Sequence, residues 1–240
     1  MPEIERGPVI RALSLAKTVL LASVPPKLYW HLMGRFRAVP AVTSECTTLE
    51  ASLASGKEVV ALLEAAGVLQ PDAVVLQIGS GLGRVEKHLA TRVTKCFGAD
   101  ISPSMVAQAR QLVPEHNVEF RCIDGRRLSG WEDGSLDLVF SIYVFQHLAR
   151  QQVSRYLHEA FRCLRPGGNL LFQILIDEEG SEKEPPAGHP YALRYYRRNG
   201  LTETLEAAGF RDVRTLGLDG SADRGAAHGD LVFIGLKPSS

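Results

Sequence analysis

The sequence predicts an α/β protein with one mostly parallel sheet covered by helices on both faces. From residue 74 onward, short apolar runs alternate with segments of helical periodicity, which is typical of parallel strands joined by crossover helices. A glycine-rich turn follows the first apolar run, at the position where open α/β sheets bind ligands. The chain has 240 residues, a length that suits one large domain, alone or with a small appendage.

The first four strands follow one another with helices between them. They are expected at Val74–Ile78, Lys95–Ile101, Asn117–Ile123 and Leu136–Ile142. The helix after the glycine turn is expected from Arg84 to about Thr91. The next helix begins with Ser102 as N-cap and Pro103 at its first position, because a serine side chain satisfies a free backbone N–H group and proline lacks one.

The second half of the sheet contains one break in this alternation. The elements expected there are a helix at Gln151–Leu164 ended by Pro166-Gly167-Gly168, a strand at Asn169–Ile176, a helix at Leu201–Ala208, and strands at Val213–Leu218 and Asp230–Leu236. The loop between the last two strands is too short for a helical crossover. The sequence therefore predicts a seven-stranded sheet, mostly parallel with an antiparallel last strand.

The N-terminal region shows helical patterns and no strand pattern. We expect residues 1–70 to form a helical lid or appendage on a core of residues 71–240. Within the region, Val9–Val24 is apolar but is interrupted by Arg11 and Lys17, and it is too short to span a bilayer. Three placements stay open for it as an amphipathic helix: on the domain, on a partner, or on a membrane surface. We expect no integral membrane span.

Composition narrows the function classes. Lys plus Arg and Asp plus Glu each number 27, so the formal net charge is zero. A nucleic-acid-binding protein more often carries a basic excess, so the balance argues against such a partner. The four cysteines form no CxxC or Cys/His metal pattern. We therefore expect no metal and no oxidising compartment, and we expect the protein to be cytoplasmic.

The strongest motif is the turn Gln77-Ile78-Gly79-Ser80-Gly81-Leu82-Gly83. Glycines at the first strand-to-helix turn let the backbone approach a ligand where a Cβ would clash. Asp100 ends the second strand, which places a carboxylate where a ribose diol would lie. Nicotinamide-binding turns prefer a small residue at the position that Arg84 occupies here. The pattern therefore disfavours a dehydrogenase.

Five motifs in order resemble those of class I S-adenosylmethionine-dependent methyltransferases of the small-molecule kind. They are Val74 to Gly83, Gly98-Ala99-Asp100-Ile101-Ser102, Cys122-Ile123-Asp124-Gly125, Leu136-Asp137-Leu138-Val139 and Leu164-Arg165-Pro166-Gly167-Gly168. The segment Leu201 to Phe210 resembles the family's closing helix. The resemblance implies a three-layer, Rossmann-like fold and S-adenosyl-L-methionine as methyl donor.

The resemblance assigns the methionine and ribose parts of the donor to particular residues. Gly79, Ser80 and Gly81 would line the methionine part, and Asp100 would accept hydrogen bonds from both ribose hydroxyls. Gln77 departs from the family, which commonly has an acidic residue there. A neutral amide oxygen still accepts a hydrogen bond from the donor's amino group, without the charge attraction.

The resemblance also assigns the adenine. Ile101 and Ile123 would sandwich the ring, and Asp124 would meet its amino group. The alternative for Asp124, beside Gly125, is that it only shapes a turn. Tyr143 would line the donor or acceptor pocket, the alternative being an aromatic packed in the core.

The candidate catalytic residue is His147, just past the fourth strand. A histidine titrates near neutral pH and can serve as general base or orient the acceptor. Its alternative role is to hydrogen-bond the backbone or pack against the lid. The fourth strand is followed by Ser141-Ile142-Tyr143-Val144, which lacks the motif typical of amino-purine methyltransferases. We therefore expect a small-molecule acceptor and no nucleic acid.

Two alternatives concern the rest of the sequence. The basic and aromatic segment Arg194-Tyr195-Tyr196-Arg197-Arg198 would suit an anionic acceptor, but a solvated helix start is the commoner outcome, so it stays outside the predicted site. Gln77 also keeps open a non-catalytic protein that binds the donor or a partner on the same fold.

Overall fold

The computed structural model describes residues 25–36, 38–39, 46–180 and 192–239. The predicted amphipathic segment Val9–Val24 lies outside these residues. Among the described residues, no helix combines the length and apolar character needed to cross a bilayer. The division into an N-terminal lid of residues 1–70 and a core of residues 71–240 stays a prediction.

Eight strands form a single sheet. They are β1 (Val74–Ile78), β2 (Lys95–Asp100), β3 (Val118–Cys122), β4 (Leu136–Ser141), β5 (Leu164–Asp177), β6 (Tyr195–Tyr196), β7 (Arg211–Leu216) and β8 (His228–Leu236). The main order is β3-β2-β1-β4-β5-β8-β7, and β6 pairs with β5 outside this path. Strand β8 runs antiparallel to both of its neighbours, whereas the first five strands are mutually parallel. The predicted antiparallel last strand is confirmed.

Seven α-helices accompany the sheet in the described residues. They are α1 (Pro26–Phe36), α2 (Leu49–Ala54), α3 (Gly56–Ala65), α4 (Glu86–Leu89), α5 (Pro103–Leu112), α6 (Arg150–Cys163) and α7 (Arg198–Ala207). The predicted start of α5 is confirmed, since the Ser102 side chain accepts a hydrogen bond from the Met105 N–H and Pro103 comes first. Helix α4 is much shorter than the eight residues expected, because turns occupy residues 81–85.

The boundary between α6 and β5 differs from the prediction. The helix ends at Cys163, and the strand begins at Leu164 rather than at Asn169. Leu164 pairs with Leu136 of β4, and a register shift before the Leu138–Asn169 pair takes up the Pro-Gly-Gly segment. Sequence patterns place a break at such a segment, whereas pairing with a neighbouring strand carries the chain through it as a bulge.

Strand β6 is absent from the prediction, which expected seven strands. Tyr195 and Tyr196 pair in parallel with Leu175 and Ile176 at the carboxyl end of β5. A two-residue strand carries no periodicity that a sequence pattern can detect. Its consequence is local, because it places the segment that begins at Arg194 beside the end of β5.

Two hydrophobic cores lie on opposite faces of the sheet, so the fold has three layers. Helices α6 and α7 contribute Val153, Leu157 and Leu205 to one core. Helices α3 and α4 contribute Leu63 and Leu89 to the other. Each fully buried leucine or valine stabilises the fold by about 1.5–3 kcal/mol relative to an exposed one.

Helix α1 is held against α5 by hydrogen bonds to its backbone. Ser104 Oγ donates to the His31 carbonyl at 2.6 Å, and Gln108 Nε2 donates to the Gly34 carbonyl at 2.7 Å. A Cβ on Gly34 would lie 2.5 Å from Ser104 Oγ, so the close approach requires glycine. This contact places the start of α1 at the mouth of the cavity described next.

Candidate functional site

A cavity of about 1500 Å³ opens at the carboxyl ends of the parallel strands. Its walls include the glycine turn after β1, the ends of β2 and β3, the segment after β4, and residues of α1, α3 and α6. The candidate site residues named from the sequence all line it: Gln77, Gly79, Ser80, Gly81, Asp100, Ile101, Ile123, Asp124, Tyr143 and His147. Their roles toward particular ligand groups stay predictions.

The glycine turn is fixed by β2 and by the segment after β4. The N–H groups of Gly79 and Ser80 both donate to the Ala99 carbonyl, at 2.7 and 3.1 Å. Gly79 has φ +80°, and a Cβ there would lie 2.2 Å from Val144 Cγ2. Both the left-handed backbone and the close packing therefore require glycine.

Asp100 joins the end of β2 to the glycine turn. Its Oδ2 accepts a hydrogen bond from the Gly81 N–H at 2.9 Å, and its Oδ1 accepts one from the Ser102 N–H at 2.8 Å. Burial raises the pKa of this carboxyl, while the hydrogen bonds from Ser102 and Gly81 oppose the shift. Each carboxylate oxygen accepts more than one hydrogen bond, so both retain capacity toward a ligand in the cavity.

Two polar side chains of the turn are buried in the cavity wall without a hydrogen-bond partner among the described residues. They are the Gln77 Oε1 atom and the Ser80 Oγ atom, in residues that are 2% exposed. A buried polar atom left unpaired costs about 1–3 kcal/mol. The chemistry of these atoms fits a ligand with an ammonium group and a carboxylate, such as the methionine part of S-adenosylmethionine.

The predicted adenine residues lie at the ends of β2 and β3. Ile123 is buried and Ile101 partly buried, and both line the cavity. Asp124 Oδ1 accepts hydrogen bonds from the N–H groups of Arg126 and Arg127, at 2.7 and 3.1 Å, which lower the pKa of Asp124. Asp124 therefore shapes the turn and also lines the cavity, so the two alternatives drawn from the sequence are compatible.

Tyr143 has an unusual backbone conformation. Its φ of 61° is left-handed, which is rare for an aromatic residue, and its side chain is 43% exposed. The Tyr143 N–H donates to Gln173 Oε1 at 2.9 Å. Such strain persists only where surrounding contacts impose it. The prediction of an aromatic at the pocket agrees with this position, and Tyr143 is not part of the core.

His147 ends a single 3-10 turn, Phe145–His147, on the cavity wall. Its ring lies 6.4 Å from the Trp30 ring, centroid to centroid. Burial is the main cause that lowers the pKa of His147 below its ordinary 6.5; a hydrogen bond with the Ala192 backbone opposes the shift, and the Arg194 charge lowers the pKa further. The expected titration near neutrality is thus shifted downward, and the imidazole is neutral at pH 7.

Sequence reasoning missed one buried polar residue behind the cavity wall and gave no site role to a second one in the wall. Gln173 lies in the middle of β5, fully buried, and its Nε2 donates to Gln146 Oε1 at 2.8 Å and to Asp230 Oδ1 at 2.5 Å. A glutamine inside the apolar run Leu170–Ile176 was the available signal. Arg84 lines the cavity as well, although the sequence presented it only as an argument against a dehydrogenase.

The chain resembles known proteins both in sequence and in fold. Residues 76–172 match the family model described as "Methyltransferase domain". A Mycolicibacterium smegmatis protein named "Probable S-adenosylmethionine-dependent methyltransferase" is 31% identical over 162 residues, which cover 66% of this chain and 61% of that protein. The chain thus spans less than two thirds of this relative. It spans 27% of the biotin biosynthesis bifunctional protein BioHC of Cellvibrio japonicus and 29% of phosphoethanolamine N-methyltransferase 1 of Triticum aestivum, two other relatives that it matches.

Solved structures share the fold at low identity. The DhpI–SAH complex is 20% identical with a TM-score of 0.62, covering 90% of this chain and 96% of that one. Phosphoethanolamine N-methyltransferase 2 of Haemonchus contortus, in complex with S-adenosyl-L-methionine, is 19% identical with a TM-score of 0.60. That alignment covers 76% of this chain and 52% of the other. These likenesses show the three-layer fold.

Proposed function

We propose that this chain is a class I S-adenosylmethionine-dependent methyltransferase that transfers a methyl group from S-adenosylmethionine to a small-molecule acceptor, because residues 76–172 match a methyltransferase family model and the Mycolicibacterium smegmatis relative is 31% identical. The observation that carries the proposal is the joining of Asp100 to the glycine turn at the cavity, through the Gly81 N–H. This contact places the Asp100 carboxylate, which suits a ribose diol, beside the glycine backbone, which a ligand can approach closely, on one wall of the cavity.

Each residue that the sequence assigns to the donor would contact one part of it. Gln77 Oε1 would accept a hydrogen bond from the donor's ammonium group, and the Ser80 hydroxyl would meet its carboxylate. Asp100 would accept hydrogen bonds from the ribose hydroxyls through the lone pairs that Gly81 and Ser102 leave unused. Ile101 and Ile123 would hold the adenine from either side, with Asp124 at its amino group.

The chemistry that the donor supplies is a methyl carbon activated by a positive sulfur. The protein's part is to align the acceptor atom with that carbon and to exclude water. His147 would accept a proton from the acceptor or orient it, since burial keeps its imidazole neutral at pH 7. Tyr143, whose backbone N–H donates to Gln173 Oε1, would line the donor or acceptor pocket.

Three observations support a small-molecule acceptor. The net charge is zero, which is unusual for a nucleic-acid-binding protein. The cavity lies inside the fold, between the strand ends and the N-terminal helices. One relative of the same fold is by name a phosphoethanolamine N-methyltransferase, so a small acceptor is compatible with this architecture.

Calorimetric titration with S-adenosylmethionine and, separately, with S-adenosylhomocysteine tests the proposal. We expect both to bind with micromolar dissociation constants, and transfer of tritiated methyl groups to a metabolite panel would then identify the acceptor. Binding without transfer to any acceptor would favour the non-catalytic donor-binding alternative. If neither compound binds, the fold stands and the proposed function fails.

A further inference from the structure

Arg84 is a buried cation in the wall of the cavity. It directly follows the glycine turn, its residue is only 6% exposed, and it lines the cavity. Its Nη1 donates to Ser55 Oγ at 3.3 Å, which is a long and neutral contact for a group with five N–H donors. Among the described residues, no carboxylate lies within 4.0 Å of its guanidinium nitrogens.

The surrounding acidic groups do not neutralise this charge. Glu86 is the acidic group that acts most strongly on Arg84, but burial raises the pKa of Glu86 to about 8, so its carboxyl is largely neutral at pH 7. Glu58 also acts on Arg84 and lines the cavity, but its residue is exposed to solvent. Burial lowers the pKa of Arg84 itself, yet a guanidinium stays protonated at neutral pH.

The charged residues that line the cavity also favour an anionic ligand. The charged residues that line it and are buried are Arg84 and Arg194, at 6% and 4% exposure. Arg194 Nη1 donates to the His147 carbonyl at 2.9 Å, so it belongs to the wall that holds the candidate base. The acidic residues that line the cavity are exposed or only partly buried. Buried charges are normally compensated by a partner of opposite charge, and for Arg84 a ligand can supply it.

Arg84 lies in the cavity wall beside the junction of α2 and α3. Its hydrogen bond goes to Ser55, where α2 meets α3, and a Cβ on Gly56 would lie 1.9 Å from the Arg84 carbonyl oxygen. Tyr143 and Cys46, which line the cavity, also act on its charge. Typical pockets for one drug-sized ligand are about 300–1000 Å³, so the cavity of about 1500 Å³ has room for a second molecule beside the donor.

We propose that the Arg84 guanidinium binds a carboxylate or phosphate group of the methyl acceptor. The acceptors of this protein are then anionic small molecules. Arg84 binds the charged end of the acceptor, and its other end lies at His147 and at the methyl group of the donor. The fork of guanidinium N–H donors matches two oxygens of such a group at once. The inference rests on the proposed function, because it places the acceptor in the donor's cavity.

The competing ligand for Arg84 is the carboxylate of the donor itself, and the test separates the two. The SAH-saturated protein is titrated with inorganic phosphate and with acetate, against sodium chloride at equal ionic strength, and the unfolding midpoint is followed. We expect a saturable rise with phosphate or acetate. Arg84→Gln should weaken this ion binding about tenfold or more, while its dissociation constant for S-adenosylhomocysteine stays within about threefold of wild type.

A control variant and a second Arg84 variant show whether the effect belongs to the Arg84 side chain. Arg92 is exposed and paired with Glu64 outside the cavity, so Arg92→Gln should bind ions and S-adenosylhomocysteine as wild type does. If Arg84→Gln does not fold, Arg84→Lys replaces it, because lysine keeps the charge but loses the two-pronged geometry. Arg84→Lys should bind the ions more weakly than wild type and S-adenosylhomocysteine equally well.

Two outcomes would overturn the inference. One is the absence of a saturable effect of either ion on the SAH-loaded wild type. The other is a loss of S-adenosylhomocysteine affinity in Arg84→Gln of about tenfold or more, which assigns Arg84 to the donor's carboxylate. If the wild type binds no S-adenosylhomocysteine, the proposed function fails separately, and the ion titrations of the unloaded protein then decide whether Arg84 forms an anion site.

Discussion

Asp100 has a structural role in addition to the ligand-binding role that the sequence predicts for it. Its oxygens hold the glycine turn through Gly81 and the start of α5 through Ser102. The same carboxylate lines the cavity. A side chain that shapes the site through the backbone and also faces the ligand is sensitive to any replacement.

Replacing Asp100 should separate these two roles. Asp100→Ala should weaken binding of S-adenosylhomocysteine about 100-fold or more, because two charge-assisted hydrogen bonds are lost at about 1.5–3 kcal/mol each. Asp100→Asn keeps an oxygen for one backbone contact and should lose less. Calorimetry measures both, with Asp72→Ala, an exposed position before β1, as control. Wild-type affinity in Asp100→Ala would contradict the assignment.

His147 differs from the expectation because of its surroundings. An exposed histidine titrates near pH 6.5, but burial and the Arg194 charge lower the pKa of His147. A base is effective only above its pKa, so the acid limb of the rate profile moves to lower pH. The midpoint of the acid limb in the rate of methyl transfer should therefore lie below pH 6.5.

The His147→Ala variant tests the base role once an acceptor is known. Turnover should fall by about 100-fold or more, the usual contribution of a general base, and the dissociation constant for S-adenosylhomocysteine should be nearly unchanged. His158→Ala, at an exposed position of α6, serves as control. Unchanged turnover in His147→Ala, or a wild-type rate that already falls near pH 7.5, would rule out this role.

At the scale of elements, the site depends on how the glycine turn meets the segment after β4. Gly79 packs directly against Val144. The residue before Val144 is Tyr143, whose backbone N–H donates to Gln173 of the neighbouring strand β5. Three strands that are adjacent in the sheet, β1, β4 and β5, thus set the shape of one wall of the cavity.

Gly79→Ala should disturb this contact. Its φ is +80° and its Cβ would lie 2.2 Å from Val144 Cγ2, so we expect a loss of about 1–3 kcal/mol in the free energy of unfolding and weaker binding of S-adenosylhomocysteine. Adding Val144→Ala should restore part of both, measured by urea unfolding and calorimetry. Gly200→Ala, in α7 with open space around it, should be neutral or slightly stabilising. No rescue in the double variant would show that backbone strain, not the clash, dominates.

At the scale of the whole molecule, Glu86 makes stability depend on pH. The side chain is fully buried beside Gly98, and both oxygens lack a hydrogen-bond partner among the described residues. Burial raises its pKa to about 8, Asp100 adds to the shift, and the Arg84 charge opposes it. The folded protein therefore keeps a proton that the unfolded chain releases at an ordinary pKa of about 4.5.

The sign of the effect follows from linkage. A raised pKa in the folded state gives full stability below about pH 4.5, and stability is lost at about 1.4 kcal/mol per pH unit as the pH rises toward 8. Glu86→Gln cannot ionise, so its advantage over wild type in the free energy of unfolding should grow between pH 5.5 and pH 8. Urea unfolding at both values measures it, with exposed Glu203→Gln as control. A constant difference would exclude the buried proton.

The sequence by itself determined the order of seven of the eight strands along the chain, the antiparallel last strand and ten residues that line the cavity. These follow from local rules: strands show apolar runs, turns show glycine, and parallel strands bring their carboxyl ends to one edge of the sheet. Asp100 ends a strand, and Asp124 and His147 come shortly after one, so their approximate place could be predicted from chain position.

Only the tertiary structure decided which side chains are buried, and what they contact. Gln173, Arg84 and Glu86 lie in segments whose sequence predicts an ordinary strand or helix, and their importance comes from neighbours far along the chain. The start of β5 at Leu164 likewise depends on pairing with Leu136. Burial and hydrogen bonding are properties of the packed molecule, and they set the pKa of His147, the strain at Tyr143 and the uncompensated charge of Arg84.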